Sequence, residues 1–178
     1  MLSTIAVSTL FVLVLVMIFI FFVSGQARRG HAVEDAGEKL GLRYMPVWFK
    51  EQAAALAPAE MAGEPGGMYI LEGEGSDEGI VIADLKSMPS ANKDPERRYT
   101  TVAGFPYDGP RFRLPPSDRA GEMNGDPPSQ LADFALVEGE AAEANGRYLI
   151  LYHLGRRTPP EEYAELLDRL RRIRTLLD

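Results

Sequence analysis

From Ile5 to Val23 the chain reads IAVSTLFVLVLVMIFIFFV, nineteen residues without a charge and with only Ser8 and Thr9 polar. As a helix this run is roughly 28 Å long, close to the ~30 Å hydrocarbon thickness of a bilayer. Its many β-branched residues lower helix propensity in water. In lipid the helix still wins, because each backbone N–H must find its acceptor inside the segment. None of the 26 acids or 19 bases falls within residues 1–23, so the net charge of −7 belongs entirely to the rest of the 178-residue chain. A short block is built for lipid and a longer acidic block for water, which argues against a freely soluble enzyme. The chain has no cysteine. Disulfide scaffolds, thiolate nucleophiles, lipoprotein attachment and cysteine-bound zinc are thereby excluded.

A cleaved signal peptide is the competing reading of the apolar run, with Val23-Ser24-Gly25 as a small-residue cleavage site. The absence of a basic residue ahead of the run opposes it, as does a length beyond the usual 7–15 or so residues. Arg28, Arg29, Lys39 and Arg43 follow the run, with His31 as a partial fifth. Lysine and arginine near a span stay on the cytoplasmic side. The expected layout is therefore a transmembrane anchor with short flanks over residues 1–27, a juxtamembrane linker or short helix over 28–46, and a cytoplasmic α+β domain over 47–178. Arg28 and Arg29 also suit anionic headgroups, at about 1 kcal/mol each. Trp48, the one tryptophan, reads either as a core residue or as an interfacial anchor.

Within the water-soluble part, Ala32, Val33, Ala36 and Leu40 recur at helical spacing and Gly41 is a stop signal. In VWFKEQAAALA after Pro46, the residues expected to pack inward are Val47, Trp48, Ala54, Ala55 and Leu56. Strands are expected at 68–72, 80–86, 97–105 and 147–154, with a short extended piece at 112–114 and a hairpin around the Gly-rich turn after Glu72. LADFALVE at 131–138 is ambiguous, Ala141 to Asn145 reads as helical, and Asn145-Gly146 as a turn. The final segment is the clearest helix. Thr158 reads as its N-cap, Pro159 as its first residue and Glu161 as the capping-box acid. Tyr163, Leu166, Leu167, Leu170, Ile173, Leu176 and Leu177 line one face, and Arg171 falls on the outer one. The fold expected is α+β: an antiparallel sheet packed on one face by the C-terminal amphipathic helix, behind one N-terminal transmembrane helix.

Chemistry is harder to find. His31 and His153 have no histidine at i+3 or i+4, so no local metal pair forms. His153 beside Arg156 and Arg157 suggests at most an acid/base or phosphate site; a half-buried strand-end histidine is the simpler reading. No Gly-x-Ser-x-Gly elbow or phosphate-binding GxxxxGK[ST] loop is present. The acidic turn Glu72, Glu74, Asp77 and Glu78 lacks EF-hand spacing and reads as a solvated hairpin tip. No catalytic residue, metal or cofactor is expected. Residues 32–85 carry net −8 and residues 86–119 net +3. The basic strip includes Arg97, Arg98, Arg111 and Arg113, candidates for contact with an anionic membrane or an acidic partner. The overall acidity argues against nucleic acid as a partner.

GIVIAD at 79–84, RYTTV at 98–102, PRFRLPP at 110–116, GRYLILY at 146–152, GRR at 155–157 and PPEE at 159–162 follow one another in a fixed order. That order resembles a group of uncharacterised bacterial proteins, frequent in actinobacteria, with one N-terminal span and a cytoplasm-facing domain. The chain is shorter than that pattern between Pro116 and Gly146. The resemblance implies the anchored architecture and no activity, cofactor or catalytic residue. The functional expectation is a single-pass protein of the plasma membrane, with the bilayer and another protein as partners, acting as a non-catalytic adaptor or accessory binding domain. A membrane-tethered enzyme is the alternative, as is an extracytoplasmic binding domain if the topology is inverted.

Overall fold

The computed structural model describes residues 2–45, 50–61, 65–87, 99–116, 125–131, 134–153 and 155–177. Its first element is a single unbroken helix, α1 (Leu2–Leu40, 39 residues), about 58 Å long. The large apolar side chains from Leu10 to Phe21 all stand exposed, and this helix is long and apolar enough to cross a membrane. The separate short helix expected after Gly30 does not occur. Residues 30–40 continue α1, which stops at Gly41 as the sequence indicates. Gly41 adopts φ +68 and its N–H donates to the Glu38 carbonyl at 3.2 Å, a left-handed C-terminal cap that glycine forms without strain.

Seven strands follow: β1 (Leu42–Met45), β2 (Pro65–Gly73), β3 (Val81–Ser87), β4 (Tyr99–Pro106), β5 (Phe112–Leu114), β6 (Glu140–Ala144) and β7 (Tyr148–His153). They form one sheet in the order β1-β2-β3-β4-β7-β6-β5, every pairing antiparallel. The short helix α2 (Lys50–Leu56) joins β1 to β2, and α3 (Tyr163–Leu177) closes the chain. The α+β class thus holds, but helices cover both sheet faces rather than one. Alternation along the strands sorts the core in two. Leu71, Ile82, Ala103, Leu149 and Leu151 face α1 and α3, alongside Val33, Leu166, Leu167 and Leu170. Ile70, Ala83, Leu85, Val102, Ile150 and Tyr152 face α2, alongside Ala53 and Leu56. Within α2 the inward residues are Ala53 and Leu56. Ala54, expected inside, is exposed, and Val47 and Trp48 lie outside the described residues.

Helix α1 lies close on its face of the sheet because glycines remove side chains at the seam. A Cβ on Gly37 would stand 2.5 Å from Leu71 Cδ2, and one on Gly30 would stand 3.2 Å from Tyr69 Cε1. Direction also follows. The Tyr69 hydroxyl donates to the Gln26 carbonyl at 2.6 Å, while Leu42, just past the helix end, pairs with Gly73. The sheet end carrying Pro65, Ser87, Tyr99 and His153 is therefore nearest the apolar half of α1. The end carrying Gly73, Val81, Pro106, Ala144 and Tyr148 is farthest from it.

Further local expectations are corrected. Ala141 to Ala144 lies in β6 rather than in a helix. EAAEA has high helix propensity, but pairing with β5 and β7 overrides it. Thr158 is not an N-cap. A 3-10 turn at Pro160–Glu162 precedes α3 without any side-chain cap. The Thr158 N–H instead donates to Thr101 Oγ1 at 2.9 Å, tying the helix approach to the sheet. Asp77 is buried rather than solvated at the hairpin tip. Arg171 grips it with two hydrogen bonds, Nε to Oδ1 at 2.9 Å and Nη2 to Oδ2 at 2.6 Å, so Arg171 is not idle on the outer face. The pairing with Arg171 holds the Asp77 carboxyl below the usual carboxylate range. Tyr163, Leu166, Leu167, Leu170 and Ile173 are buried as the helical spacing indicates, whereas Leu176 is exposed.

Replacing the fully buried Leu170 by Ala should cost about 2–5 kcal/mol. Arg171→Ala should cost about 1 kcal/mol, because the pair is bidentate but Arg171 is still 44% exposed. Denaturant unfolding of the full chain in detergent measures both, and a Leu170→Ala cost no larger than that of Arg171→Ala contradicts the docking of α3.

Candidate functional site

Among the described residues, polar groups interrupt the apolar layers on both sheet faces, and two clusters of them join several elements. The first occupies the seam between α1, α3 and the sheet. Ile80, just before β3, and Ile82 and Asp84 on it share the face toward α1 and α3, so a carboxylate stands where the alternation calls for a third apolar residue. Its side chain is 0% exposed, and Arg29, 16% exposed, reaches it from α1. Arg29 Nε donates to Asp84 Oδ2 at 2.9 Å and Nη2 donates to Oδ1 at 3.1 Å. Nη2 also donates to the Thr158 carbonyl at 2.8 Å and to the Tyr163 hydroxyl at 3.2 Å. Thr101 Oγ1 donates to Asp84 Oδ1 at 2.5 Å. Arg157 Nε stands 3.9 Å from Asp84 Oδ2, and its guanidinium lies 3.9 Å over the Tyr99 ring. Burial pushes the Tyr163 pKa up, so the phenol stays protonated. One guanidinium thus ties together α1, β3, the approach to α3 and α3 itself.

The second cluster lies on the α2 face, at the β5–β6 edge of the sheet. Arg113 on β5 is directly opposite Glu143 on β6. Glu143 is buried, and its two oxygens accept the Ala59 N–H at 3.2 and 3.1 Å. The Tyr152 hydroxyl donates to Glu143 Oε2 at 3.4 Å. Burial pushes the Glu143 carboxyl above its ordinary range, against the opposing pull of the Ala59 N–H and Arg113. Arg113 forms an ion pair with Glu60. These groups border a cleft of about 620 Å³ walled by Ala54, Ala55, Ala57 and Ala59 and mouthed by Arg111 and Arg147. Asn145 fixes one corner. Its Nδ2 donates to the Ala55 carbonyl at 2.7 Å, and its Oδ1 accepts the N–H groups of Arg147 and Tyr148, both at 3.0 Å. That turn places Gly146 at φ +87, where a Cβ would stand 2.8 Å from Arg111 Nε.

The residues singled out in the sequence meet different fates. Arg111 and Arg113 come together in the cleft. Arg28 is exposed on α1, whereas Arg29, expected at lipid headgroups, is turned inward onto Asp84. Trp48, Arg97 and Arg98 lie outside the described residues; the flanking strand ends Met45, Ser87 and Tyr99 stand at the sheet end nearest the apolar half of α1. His153 is half-buried, and burial pulls its pKa down. Arg156 turns away to Glu162 at 3.1 Å and Arg157 to the Tyr99 face, so these three do not converge on one site. No group of three or more His, Asp or Glu suited to a metal occurs among the described residues. Asp84, Glu143 and Arg147 went unnoticed in the sequence. For Asp84 the available signal was a charge at an inward position of an alternating segment; the helix-like EAAEA gives none for Glu143.

Arg29→Ala should cost about 3–5 kcal/mol by leaving the buried Asp84 carboxylate without the guanidinium that hydrogen-bonds it, only Arg157 standing near at 3.9 Å. The paired replacement Arg29→Met with Asp84→Leu should recover most of that loss, as thermal unfolding of the detergent-solubilised chain would show; a double variant no better than the single one contradicts this account. Glu143 titrates in the opposite sense to Asp77. Its raised pKa means that the stability it contributes is present in acid and is lost as pH rises through the folded-state value. Glu143→Gln should therefore gain on the parent protein between mildly acidic and neutral pH, and a pH-independent difference contradicts the burial of the carboxyl.

Comparison with protein-family models, curated proteins and solved structures finds no match to this chain.

Proposed function

We propose that this chain is a single-span protein of the plasma membrane whose α+β domain sits at the cytoplasmic face and works by binding, as an adaptor or accessory domain. The observation that carries the reading is the continuity of α1. The exposed apolar half and the half that packs on the sheet are one helix, and Arg29 joins the second half to Asp84. A domain fixed this close to its span is held against the membrane surface rather than tethered at a distance. The charge distribution supports the same orientation. Arg28, Lys86 and Arg156 stand toward the apolar half of α1, matching the excess of basic residues on the cytoplasmic side of spans and the attraction of anionic headgroups. The acids Glu72, Glu74 and Glu78 stand at the far end of the sheet. The partners this reading implies are the bilayer and a second protein. The chain's net charge of −7 disfavours nucleic acid.

The full chain should remain in the membrane pellet after alkaline extraction. A fluorescent protein at its C-terminus should fluoresce, while alkaline phosphatase in the same place should stay inactive. High phosphatase activity overturns the orientation, and release by alkali overturns the anchor.

A further inference from the structure

We propose that the cleft on the α2 face binds a small water-soluble organic oxyanion, a molecule carrying a carboxylate or phosphate group, held by Arg111, Arg113 and Arg147. This deepens the binding role proposed above by naming the ligand, and it does not depend on which way the membrane helix points.

The first observation is Arg113. Its Nη2 meets Glu60, yet its buried Nε has no hydrogen-bond acceptor among the described residues. Buried donors in native proteins are nearly always satisfied, by protein, water or ligand. The second is the pair at the mouth. Arg29, Arg43, Arg156, Arg169 and Arg171 each meet a carboxylate. Arg111 and Arg147 border the cleft, and neither meets one among the described residues. Three guanidiniums thus surround a space in which the one lining carboxylate among the described residues, Glu143, already accepts the Ala59 N–H. The third is the shape. A wall of alanine methyls leaves about 620 Å³, within the ~300–1,000 Å³ range of small-molecule sites.

The chemistry of the ligand follows from the guanidinium. Its planar fork of N–H donors matches the two oxygens of a carboxylate or phosphate, adds charge attraction that a neutral ligand lacks, and repels a cation. The position of the cleft specifies the source. Ala144, Asn145 and Arg147 belong to the sheet end farthest from the apolar half of α1. The ligand therefore arrives from water rather than as a lipid headgroup.

The test is calorimetric titration of the full chain in a neutral detergent with citrate and, separately, with inorganic phosphate, at matched ionic strength. Saturable one-site binding of at least one probe is expected. Arg111→Ala and Arg147→Ala should each weaken it about tenfold or more, the scale of one charge-assisted hydrogen bond. Both side chains are exposed, so these variants should fold; unchanged melting without ligand verifies that. Arg172→Ala, an exposed arginine on α3 away from the cleft, should bind as the parent does. Absence of saturable binding by both probes overturns the proposal. So does an equal loss in Arg172→Ala, which marks a general charge effect, or unchanged affinity in Arg111→Ala and Arg147→Ala. Binding of an acidic peptide or of anionic lipid vesicles with no binding of either probe overturns it in favour of a macromolecular partner. None of these outcomes depends on the extraction and fusion experiments, so the two readings fail separately.

Discussion

A carboxylate with no exposed surface cannot be left alone, and the arrangement of the helices around Asp84 follows from that constraint. Taking a charge out of water costs several kcal/mol, and a counter-ion returns that energy only with good geometry and further hydrogen bonds. Arg29 and Thr101 supply both. The net gain in stability over an apolar pair is small. The gain in discrimination is larger. Any register in which α1 slips by a residue turns Arg29 off the sheet and strands Asp84. The glycines at 30 and 37 act in the same direction, since the helix approaches this closely only where they face Leu71 and Tyr69. Charge and shape thus select one placement of α1 together.

The same constraint orders the end of the chain. Arg29 also takes the Thr158 carbonyl and the Tyr163 hydroxyl, so the segment leading into α3 is fixed by a residue more than a hundred positions earlier. Thr158 itself lies just before the helix entry, its backbone held by Thr101 and Arg29 on either side, and α3 begins through a 3-10 turn whose cap position is Pro159. Farther along α3, Arg169 pairs with the buried Glu140 and Arg171 with Asp77. Arg169 and Arg171 thus staple α3 to β6 and to the turn between β2 and β3.

Periodicity made much of the frame legible. The apolar run, the stop at Gly41, the hairpin after Glu72, the extended piece at Phe112 to Leu114 and the buried stripe of α3 all follow from patterns a few residues long. What escaped was set by distant partners. EAAEA is a strand because β5 and β7 flank it, and nothing within those five residues says so. The cleft was half legible. Arg111 and Arg113 stood out as part of a basic strip, but Arg147 comes from a different hairpin, and only the β5–β6 pairing brings Arg113 to Glu143. A charge in an otherwise apolar alternation, as at Asp84, was the one local sign that a partner had to exist.

The absence of a break in α1 has a mechanical consequence. A flexible linker would let the sheet swivel freely beneath the apolar half. A continuous helix keyed into the sheet acts as a torsion rod, passing rotation from one end to the other without slack. A turn of the apolar half by one residue step, about 100°, carries the mouth of the arginine cleft through the same angle. Any contact that sets the azimuth of the apolar half therefore also sets the direction in which Arg111 and Arg147 face.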